Sequence, residues 1–153
     1  VEVSGKILEE DSETHIMLLH LHETSRFLPI WIGTIEAVSI AYAQEGYVHP
    51  RPQTHDLLID IIESLNASIS EVCITDIQDK TYFAEITLST IEGSVTLSSR
   101  PSDAIALAVR SNSKITVNPD LFNQNSIILI DDNNQEIKEF IEFIDDISPD
   151  DFV

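Results

Sequence analysis

The sequence predicts an α+β fold, a mixed and largely antiparallel sheet with about four helices, within one domain. Two observations lead to this prediction. Segments of strand length with alternating apolar residues follow one another across short polar turns, and segments with helical apolar spacing come between them. The 153 residues are 42% hydrophobic, which suffices for a single core. We expect the domain over residues 1–130, followed by an acidic helix and tail over 131–153.

The first third of the chain is predicted to form three strands and a helix. The strands cover residues 1–9, 14–22 and 26–32. Pro29 lacks an N–H, which suits a strand at a sheet edge. The helix runs from 35 to 45, with Thr34 as its N-cap and Gly46 at its end.

The rest of the chain combines the same two kinds of segment. A stiff proline loop leads to a helix over 56–65, capped by Thr54, with an apolar face of Leu57, Leu58, Ile61, Ile62 and Leu65. Strands follow at 69–77, 81–91 and 94–99. A third helix opens with Pro101 and Asp103, which favour a first helical turn, and runs to about Arg110. The remaining predicted segments are a strand at 114–117, a helical turn at 119–123, a strand at 126–130 and a helix at 135–144.

A short internal similarity links two of these segments. Residues 35–41 and 102–108 each follow a strand, and each places an acid followed by alanine in the first helical turn, namely Glu36 and Asp103. Duplication of a strand–turn–helix unit would make these two carboxylates equivalent, whereas a chance similarity would not. Both interpretations stay open, because the match is short.

The charge balance is strongly acidic. Eight Lys and Arg stand against 27 Asp and Glu, a formal net charge of −19. Such a field repels DNA, RNA and anionic lipid, and no basic stripe offsets it. A nucleic-acid binder of this composition needs divalent cations at the phosphate, or acids that lie away from the site. Nine of the acids fall between Asp131 and Asp151, so much of the imbalance is terminal.

No segment of the chain predicts secretion or a membrane span. The apolar runs are far shorter than the ~20 residues that cross a bilayer, and the N-terminus has no basic start followed by an apolar stretch. The single cysteine, Cys73, has no partner for an internal disulfide and lies in an alternating apolar run, which predicts a buried strand residue. We therefore expect a soluble, cytoplasmic protein.

The loop before the second helix concentrates residues suited to catalysis. Two prolines hold Arg51 in place, and a guanidinium can grip a phosphate with two hydrogen bonds. Thr54, His55 and Asp56 lie at a helix start, where free N–H groups attract anions, and His55 can act as an acid or a base near neutral pH. The alternative is structural, a capped helix whose Arg51 pairs with an acid.

A second segment, just before the third helix, repeats this design. Arg100 precedes a proline, and Ser102 and Asp103 follow in the first turn. Convergence of the two helix starts would bring two arginines and His55 beside the carboxylates of Asp56, Asp103 and Glu36. That set suits phosphodiester hydrolysis assisted by Mg²⁺ or Mn²⁺, with Asp56 and Asp103 as metal ligands. Here too, a cap with an Arg–Asp pair is the structural alternative.

Other polar and aromatic residues are weaker candidates. His20 and His22 share a strand face and, with His15, could suggest Zn²⁺, but no cysteine or helical histidine pair supports a zinc site. Trp31 is expected in the core or an interface, with stacking on a base as the sharper alternative, and His49 could rim the site. No phosphate-binding glycine loop, Gly-x-Ser-x-Gly elbow or zincin helix occurs, so nucleotide-triphosphate use and serine hydrolase chemistry are not expected.

Three of these blocks resemble the bifunctional nuclease domain in order and spacing. They are Leu-Pro-Ile-Trp-Ile-Gly at 28–33 with Glu36 and Ala37, Pro-Arg-Pro-Gln-Thr-His-Asp-Leu at 50–57, and Arg-Pro-Ser-Asp-Ala-Ile-Ala-Leu at 100–107. The resemblance covers roughly residues 1–125, and the tail over 143–152 is similar to the actinobacterial branch. It implies DNase and RNase activity, metal support, an α+β fold and a tendency to form dimers.

The resemblance supports only those site residues whose positions match the family blocks. They are Arg51, Thr54, His55, Asp56, Arg100, Ser102 and Asp103, with Glu36 secondary. Family members often have an acid two residues before the arginine of the last block, where this chain has Ser98. If that acid is a metal ligand, this chain lacks one ligand.

Two functions follow as hypotheses. The first is a nuclease that hydrolyses phosphodiester bonds of DNA or RNA with divalent-metal assistance. Its substrate would be bound by Trp31, Arg51, Thr54, Arg100 and Ser102. Its catalytic groups would be His55, Asp56, Asp103 and Glu36. The second is a non-enzymatic, dimeric module whose acidic surface binds a basic protein partner, and the charge of −19 favours it. We expect a homodimer and no membrane in both cases.

Overall fold

The computed structural model of the chain describes residues 1–9 and 14–129. The helix predicted at 135–144 and the tail after it lie outside the described residues. The elements are, in chain order, β1 (Val3–Glu9), β2 (Thr14–Leu21), β3 (Arg26–Gly33), α1 (Thr34–Gln44), α2 (Thr54–Ser64), β4 (Ser68–Gln78), β5 (Thr81–Thr90), β6 (Gly93–Ser99), α3 (Pro101–Ser111), β7 (Lys114–Val117), α4 (Pro119–Asn125) and β8 (Ile127–Ile128). No helix among these residues is long and apolar enough to cross a bilayer.

The described strands form two four-stranded sheets. Their orders are β1-β2-β3-β8 and β6-β5-β4-β7, and every pair is antiparallel except β4 with β7. This confirms the predicted α+β class with largely antiparallel pairing, although the strands divide between two sheets. Pro29 pairs with Leu18 of β2, while β8 reaches only Arg26 and Phe27. Pro29 therefore has no strand on its other side in the described chain, which suits its missing N–H.

The N-terminus connects the two sheets. The ammonium group of Val1 donates to the carbonyl of Val117 at 2.7 Å, and Glu2 forms a single bridge with Thr116 of β7. One continuous buried cluster draws side chains from both sheets and from α1, α3 and α4. The sheets and helices therefore share one core.

Helix α3 runs through this core. Its residues from Ala104 to Ala108 are all buried, and it packs against α1, α2 and β4. Three of those five residues are alanine, and their small side chains let neighbouring helices approach closely. The polar ends of α1 and α2 are thereby brought to one side of α3.

The two halves of the fold repeat one succession of elements. In each half, three antiparallel strands in chain order lead directly into a helix. Strands β1-β2-β3 lead into α1, and β4-β5-β6 lead into α3. Helix α2 connects the two halves. Glu36 and Asp103 are each the third residue of their helix. The structure thus gives these two acids the equivalent positions that the internal similarity suggested.

The helix caps differ from the sequence prediction. Thr34 and Thr54 are the first residues of α1 and α2, and the caps are Gly33 and Gln53. Gln53 forms a reciprocal capping box with Asp56, whose carboxylate accepts the N–H of Gln53 at 3.0 Å. The prediction of threonine caps was wrong. At α2 the capping box joins Gln53 and Asp56 and makes Gln53 the cap, and at α1 the extended Gly33 precedes the first turn.

Helix α2 carries an apolar face that the described core does not cover. Leu57, Ile61 and Leu65 are 50%, 46% and 70% exposed. Only Ile59 and Ile62 of this helix pack against the core. The predicted apolar face is therefore present in sequence but is largely turned to solvent.

Candidate active site

Three helices bring their polar residues to one junction. Helix α1 contributes Glu36 and Ser39, which are three residues apart and share a helix face. Helix α2 contributes His55 and Asp56 from its first turn. Asp103 and Arg110 lie seven residues apart on one face of α3, and Arg100 precedes that helix. These seven side chains form one connected network of hydrogen bonds and ion pairs.

His55 lies at the centre of the network. Its Nδ1 is 2.8 Å from Ser39 Oγ, and its Nε2 is 2.9 Å from Asp103 Oδ1. Its side chain is only 13% exposed. Both ring nitrogens are therefore engaged, and the imidazole is held between α1 and α3.

Arg100 joins the two equivalent acids. Its Nε donates to Asp103 Oδ2 at 3.0 Å, and its Nη1 donates to Glu36 Oε1 at 3.3 Å. Burial would raise the pKa of Asp103, but hydrogen bonds from Arg100 and His55 and their charges outweigh it and hold the pKa below its ordinary value. The hydrogen bond to Asp103 in turn raises the pKa of Arg100. Asp103 is therefore ionised at neutral pH.

Arg110 forms the buried end of the network. It is 9% exposed, and it donates from Nε to Asp56 Oδ1 at 2.7 Å and from Nη2 to Ser39 Oγ at 3.1 Å. It also donates to the carbonyls of Ser39 and Ala106. Burial would raise the pKa of Asp56, but the hydrogen bonds from Arg110 and from the N–H of Gln53 lower it overall.

Two clefts meet at His55. The smaller, of about 300 Å³, is lined by Ser39 and Arg110 together with the rings of Tyr42 and His49. The larger, of about 750 Å³, is lined by Glu36, Ser98, Ser99, Arg100 and Asp103 above an apolar floor. Thr54 and His55 line both clefts. The partner of Nδ1, Ser39, lines the smaller cleft, and the partner of Nε2, Asp103, lines the larger one.

The structure does not bring every predicted site residue to this junction. Trp31 packs against Ile16 and Leu18, on the face of its sheet opposite to the core. Its neighbours Ile30 and Ile32 face the core, and alternation along a strand turns Trp31 away from the helices. Trp31 therefore lies apart from both clefts.

Two further substrate-binding candidates also lie apart from the clefts. Ser102 is only 7% exposed and lines neither cleft, because it faces inward from the first turn of α3. Arg51 is exposed on its loop, lines neither cleft and makes no hydrogen bond or ion pair within the described chain. The site as described is built without them.

Two residues of the network were missed by sequence reasoning. Ser39 lies three residues after Glu36, and Arg110 lies two helical turns after Asp103. Helical spacing from those acids was a signal that could have found both. A charged residue near the end of an alanine-rich, apolar helix was a second signal for Arg110.

Three of the other histidines, His15, His20 and His22, lie away from the junction. His20 stacks on Phe27 with ring centroids 4.5 Å apart, and its Nε2 is 2.7 Å from the carbonyl of Thr24. His22 is exposed beside it, and His15 is buried. Cys73 is a free, partly buried residue of β4. His49 alone of the weaker candidates reaches the site, where it lines the smaller cleft.

The donor set at the junction does not fit a divalent cation in this arrangement. Asp56 and Asp103, the predicted metal ligands, are each paired with a different arginine. The described residues contain no group of three or more His, Cys, Asp or Glu that could hold a metal ion.

The fold and the junction define a class of protein, an α+β domain with a histidine–carboxylate–arginine network open to two clefts. The family model of the bifunctional nuclease domain matches residues 17–129. The chain belongs to this family.

Several relatives are similar over much of the chain. An uncharacterized protein of Mycobacterium tuberculosis is 37% identical, over 99% of this chain and 96% of its own length. Bifunctional nuclease 2 of Arabidopsis thaliana is 30% identical over 71% of this chain, and bifunctional nuclease 1 of Oryza sativa subsp. indica is 24% identical over 80%. The matched region covers 34% and 38% of those two plant proteins.

Proposed function

We propose that this protein is a nuclease that hydrolyses phosphodiester bonds of DNA or RNA at the junction of α1, α2 and α3. The observation that carries the proposal is the position of His55, bonded to Ser39 and Asp103 between two clefts. An imidazole so placed can move protons during hydrolysis. Membership of the bifunctional nuclease family supports the choice of a phosphodiester as substrate.

The charge distribution at the junction is compatible with an anionic substrate. Its three carboxylates, Glu36, Asp56 and Asp103, face two arginines and one histidine. Two of these three carboxylate charges are therefore offset locally by the arginines. The Arg100 side chain is 65% exposed, so its guanidinium can exchange a carboxylate partner for a phosphate in the larger cleft.

Aromatic rings at the smaller cleft suit a nucleobase. The rings of Tyr42, Tyr47 and His49 contact one another with centroids 4.8 to 5.1 Å apart, and Tyr42 and His49 line the cleft. Base–aromatic stacking contributes roughly 1–3 kcal/mol per base and tolerates any sequence. We assign to these rings the stacking role that was predicted for Trp31, which favours single-stranded substrates.

Assistance by Mg²⁺ or Mn²⁺ stays a prediction. A bound cation would supply charge neutralisation at the phosphate, which an acidic chain needs. In the described arrangement Arg100 occupies both Glu36 and Asp103, so no hydrolytic step is assigned to a metal ion. A cytoplasmic location and a homodimer also remain part of the proposal, and the exposed apolar face of α2 supports the latter.

The test is cleavage of single-stranded DNA and RNA by highly purified protein in Mg²⁺, Mn²⁺ or EDTA. His55→Ala and Asp103→Ala are expected to lose at least about 10²-fold in rate while remaining folded. His22→Ala and Asp60→Ala are the matched controls, because both residues are exposed and lie outside the clefts. Equal cleavage by wild type and all four variants would point to a contaminant.

The second candidate is a non-enzymatic module that binds a basic partner. The charge of −19 favours this module. Every junction carboxylate is also paired with a cationic side chain, and a network with a purely structural role would show the same pairing. Absence of cleavage together with absence of binding to DNA or RNA, with or without Mn²⁺, would select this function. Binding through phosphate contacts would instead weaken with salt, with a log–log slope of about −0.7 per phosphate on single strands.

A further inference from the structure

The imidazole at the centre of the network has no free nitrogen. His55 Nδ1 is bonded to Ser39 Oγ and Nε2 to Asp103 Oδ1. A general base must lie within hydrogen-bond reach of the proton that it removes. An ionised carboxylate has no proton to give, so the proton within reach of His55 belongs to the hydroxyl of Ser39.

The donors around Ser39 determine where its own proton points. Arg110 Nη2 donates to Ser39 Oγ at 3.1 Å, and a guanidinium cannot accept a hydrogen bond. With His55 as the neutral tautomer that bears no hydrogen on Nδ1, Ser39 Oγ accepts from Arg110 and donates to that nitrogen. The other ring nitrogen then carries hydrogen and donates to Asp103. The hydroxyl of Ser39, the imidazole of His55 and the carboxylate of Asp103 thus follow one another in a hydrogen-bonded chain. The same order occurs in catalytic triads, where the three groups are the nucleophile, its general base and the group that orients the base.

Ser39 also lies where a substrate can meet it. It lines the smaller cleft together with His55, Arg110 and Tyr42. It occupies the middle of α1 and faces the junction because it is three residues after Glu36. The usual strand-to-helix elbow for a catalytic serine is absent from the sequence, and here a helix face presents the hydroxyl.

We propose that Ser39 is the nucleophile of the phosphodiester cleavage proposed above, a role that rests on that function. Ser39 Oγ attacks phosphorus while its proton passes to His55 Nδ1. The bond from phosphorus to the leaving oxygen breaks. In an in-line displacement that oxygen lies opposite Ser39 Oγ and beyond the reach of His55 Nδ1, so a water molecule gives it a proton and it departs as a hydroxyl group, while His55 keeps the proton of Ser39. Asp103 orients the imidazole and stabilises its cationic form, and Arg110 stabilises the charge that develops beside Ser39 Oγ.

A water molecule completes the turnover. As the hydroxide left by that proton transfer, it attacks the phosphorus of the phosphodiester on Ser39. The bond from phosphorus to Ser39 Oγ breaks, and His55 returns the proton to that oxygen. The product leaves as a phosphomonoester, one water is consumed for each bond cleaved, and the enzyme is restored.

Stereochemistry at phosphorus tests this proposal on the unmodified protein. The substrate is a dinucleotide with a phosphorothioate diester of one configuration, cleaved in ¹⁸O-labelled water, with the product configuration determined by ³¹P NMR. Two displacements, first by Ser39 and then by water, give retention. Direct attack by water gives inversion, which would overturn the proposal while leaving the nuclease function standing.

Variants assign the nucleophile. Ser39→Ala is expected to lose at least about 10³-fold in kcat, and Ser64→Ala, the same change at an exposed serine of α2, is expected to keep full activity. The wild type could give retention of configuration at phosphorus while Ser39→Ala keeps kcat within tenfold of the wild-type value. That pair of results would place the nucleophile elsewhere. A wild type that cleaves no phosphodiester would remove the proposed function itself, and the role of Ser39 with it.

Discussion

Arg100 and Arg110 contact acids of the same network from different environments. Arg100 is mostly exposed, and its contacts with Glu36 and Asp103 lie at the surface of the larger cleft. Arg110 is nearly buried and donates hydrogen bonds to Asp56 and Ser39. A buried arginine that loses its partners is costly, whereas an exposed one can change partners. Arg100 is therefore suited to substrate contact and Arg110 to holding the junction together.

Replacing Arg110 is expected to destabilise the fold. Arg110→Ala leaves Asp56 without its guanidinium partner and removes the link from α3 to α1, at a cost of about 2–3 kcal/mol in the free energy of unfolding. Urea denaturation followed by circular dichroism measures this cost. Arg51→Ala is the control, expected to change the free energy by less than about 0.5 kcal/mol, and equal effects of the two substitutions would contradict the assignment.

The charge of Asp56 is expected to make part of the stability depend on pH. Its folded pKa lies below the ordinary value of 3.8, so its charge stabilises the folded state above that value. The contribution is lost as the pH falls through the lowered pKa. The difference in free energy of unfolding between wild type and Asp56→Asn should therefore be steady above about pH 5 and shrink below 3.8. A difference that stays constant down to pH 3 in urea titrations would speak against it.

At the scale of secondary-structure elements, two helix starts and one strand end determine the larger cleft. Helices α1 and α3 deliver Glu36 and Asp103 from equivalent positions, and β6 delivers Ser98 next to them. The position at which family members often carry an acid thus faces the same cleft as both carboxylates. The chain has two acids and a hydroxyl there, which accounts for the absence of a metal-binding group among the described residues.

Restoring an acid at this strand end is expected to create a cation site. Ser98→Asp adds a third carboxylate to the larger cleft, and oxygen ligands of this kind suit Mn²⁺ and Mg²⁺. We expect Mn²⁺ to bind at least about tenfold more tightly than to the wild type, measured by calorimetry. Ser98→Asn and Ser94→Asp are the controls, the first without charge and the second with the same charge at the far end of β6. Equal Mn²⁺ affinity in all four proteins would show that the cleft is not a metal site.

At the scale of the whole molecule, charge and apolar surface lead to different expectations. A net charge of −19 keeps identical chains apart, whereas the exposed face of α2 favours their association. Strand β2 is covered on both faces, with Ile16 and Met17 fully buried on opposite sides. The exposed apolar face of α2 is the surface that we propose for a homodimer.

Light scattering tests the homodimer. The wild type is expected to have the mass of two chains, and Ile61→Glu to have the mass of one. Ile61 is half exposed, so the substitution should leave the melting temperature nearly unchanged. Asp60→Asn, on the same helix, is the matched control. A monomeric wild type would refute the dimer.

Local patterns in the sequence determined the elements of this protein. Alternation, helical spacing and turn residues gave all eight described strands and four helices to within about two residues in most cases, because these signals arise between near neighbours in the chain. The blocks around Arg51 and Arg100 also identified the family, which the match over residues 17–129 bears out. Local patterns also identified His55 and Asp103 as candidate site residues, because each lies at the start of a helix.

The tertiary structure decided which of these residues meet. Ser39 and His55 are 16 residues apart, His55 and Asp103 are 48 apart, and Arg110 lies 71 residues from Ser39. No local pattern encodes a contact over such separations. The packing of α1 and α2 against α3 joined Ser39 and Arg110 to the site, and the orientation of the first sheet turned Trp31 away from it. Short-range spacing in the sequence thus determined the helices and strands. The site was determined by the packing of the apolar helix α3 against α1 and α2.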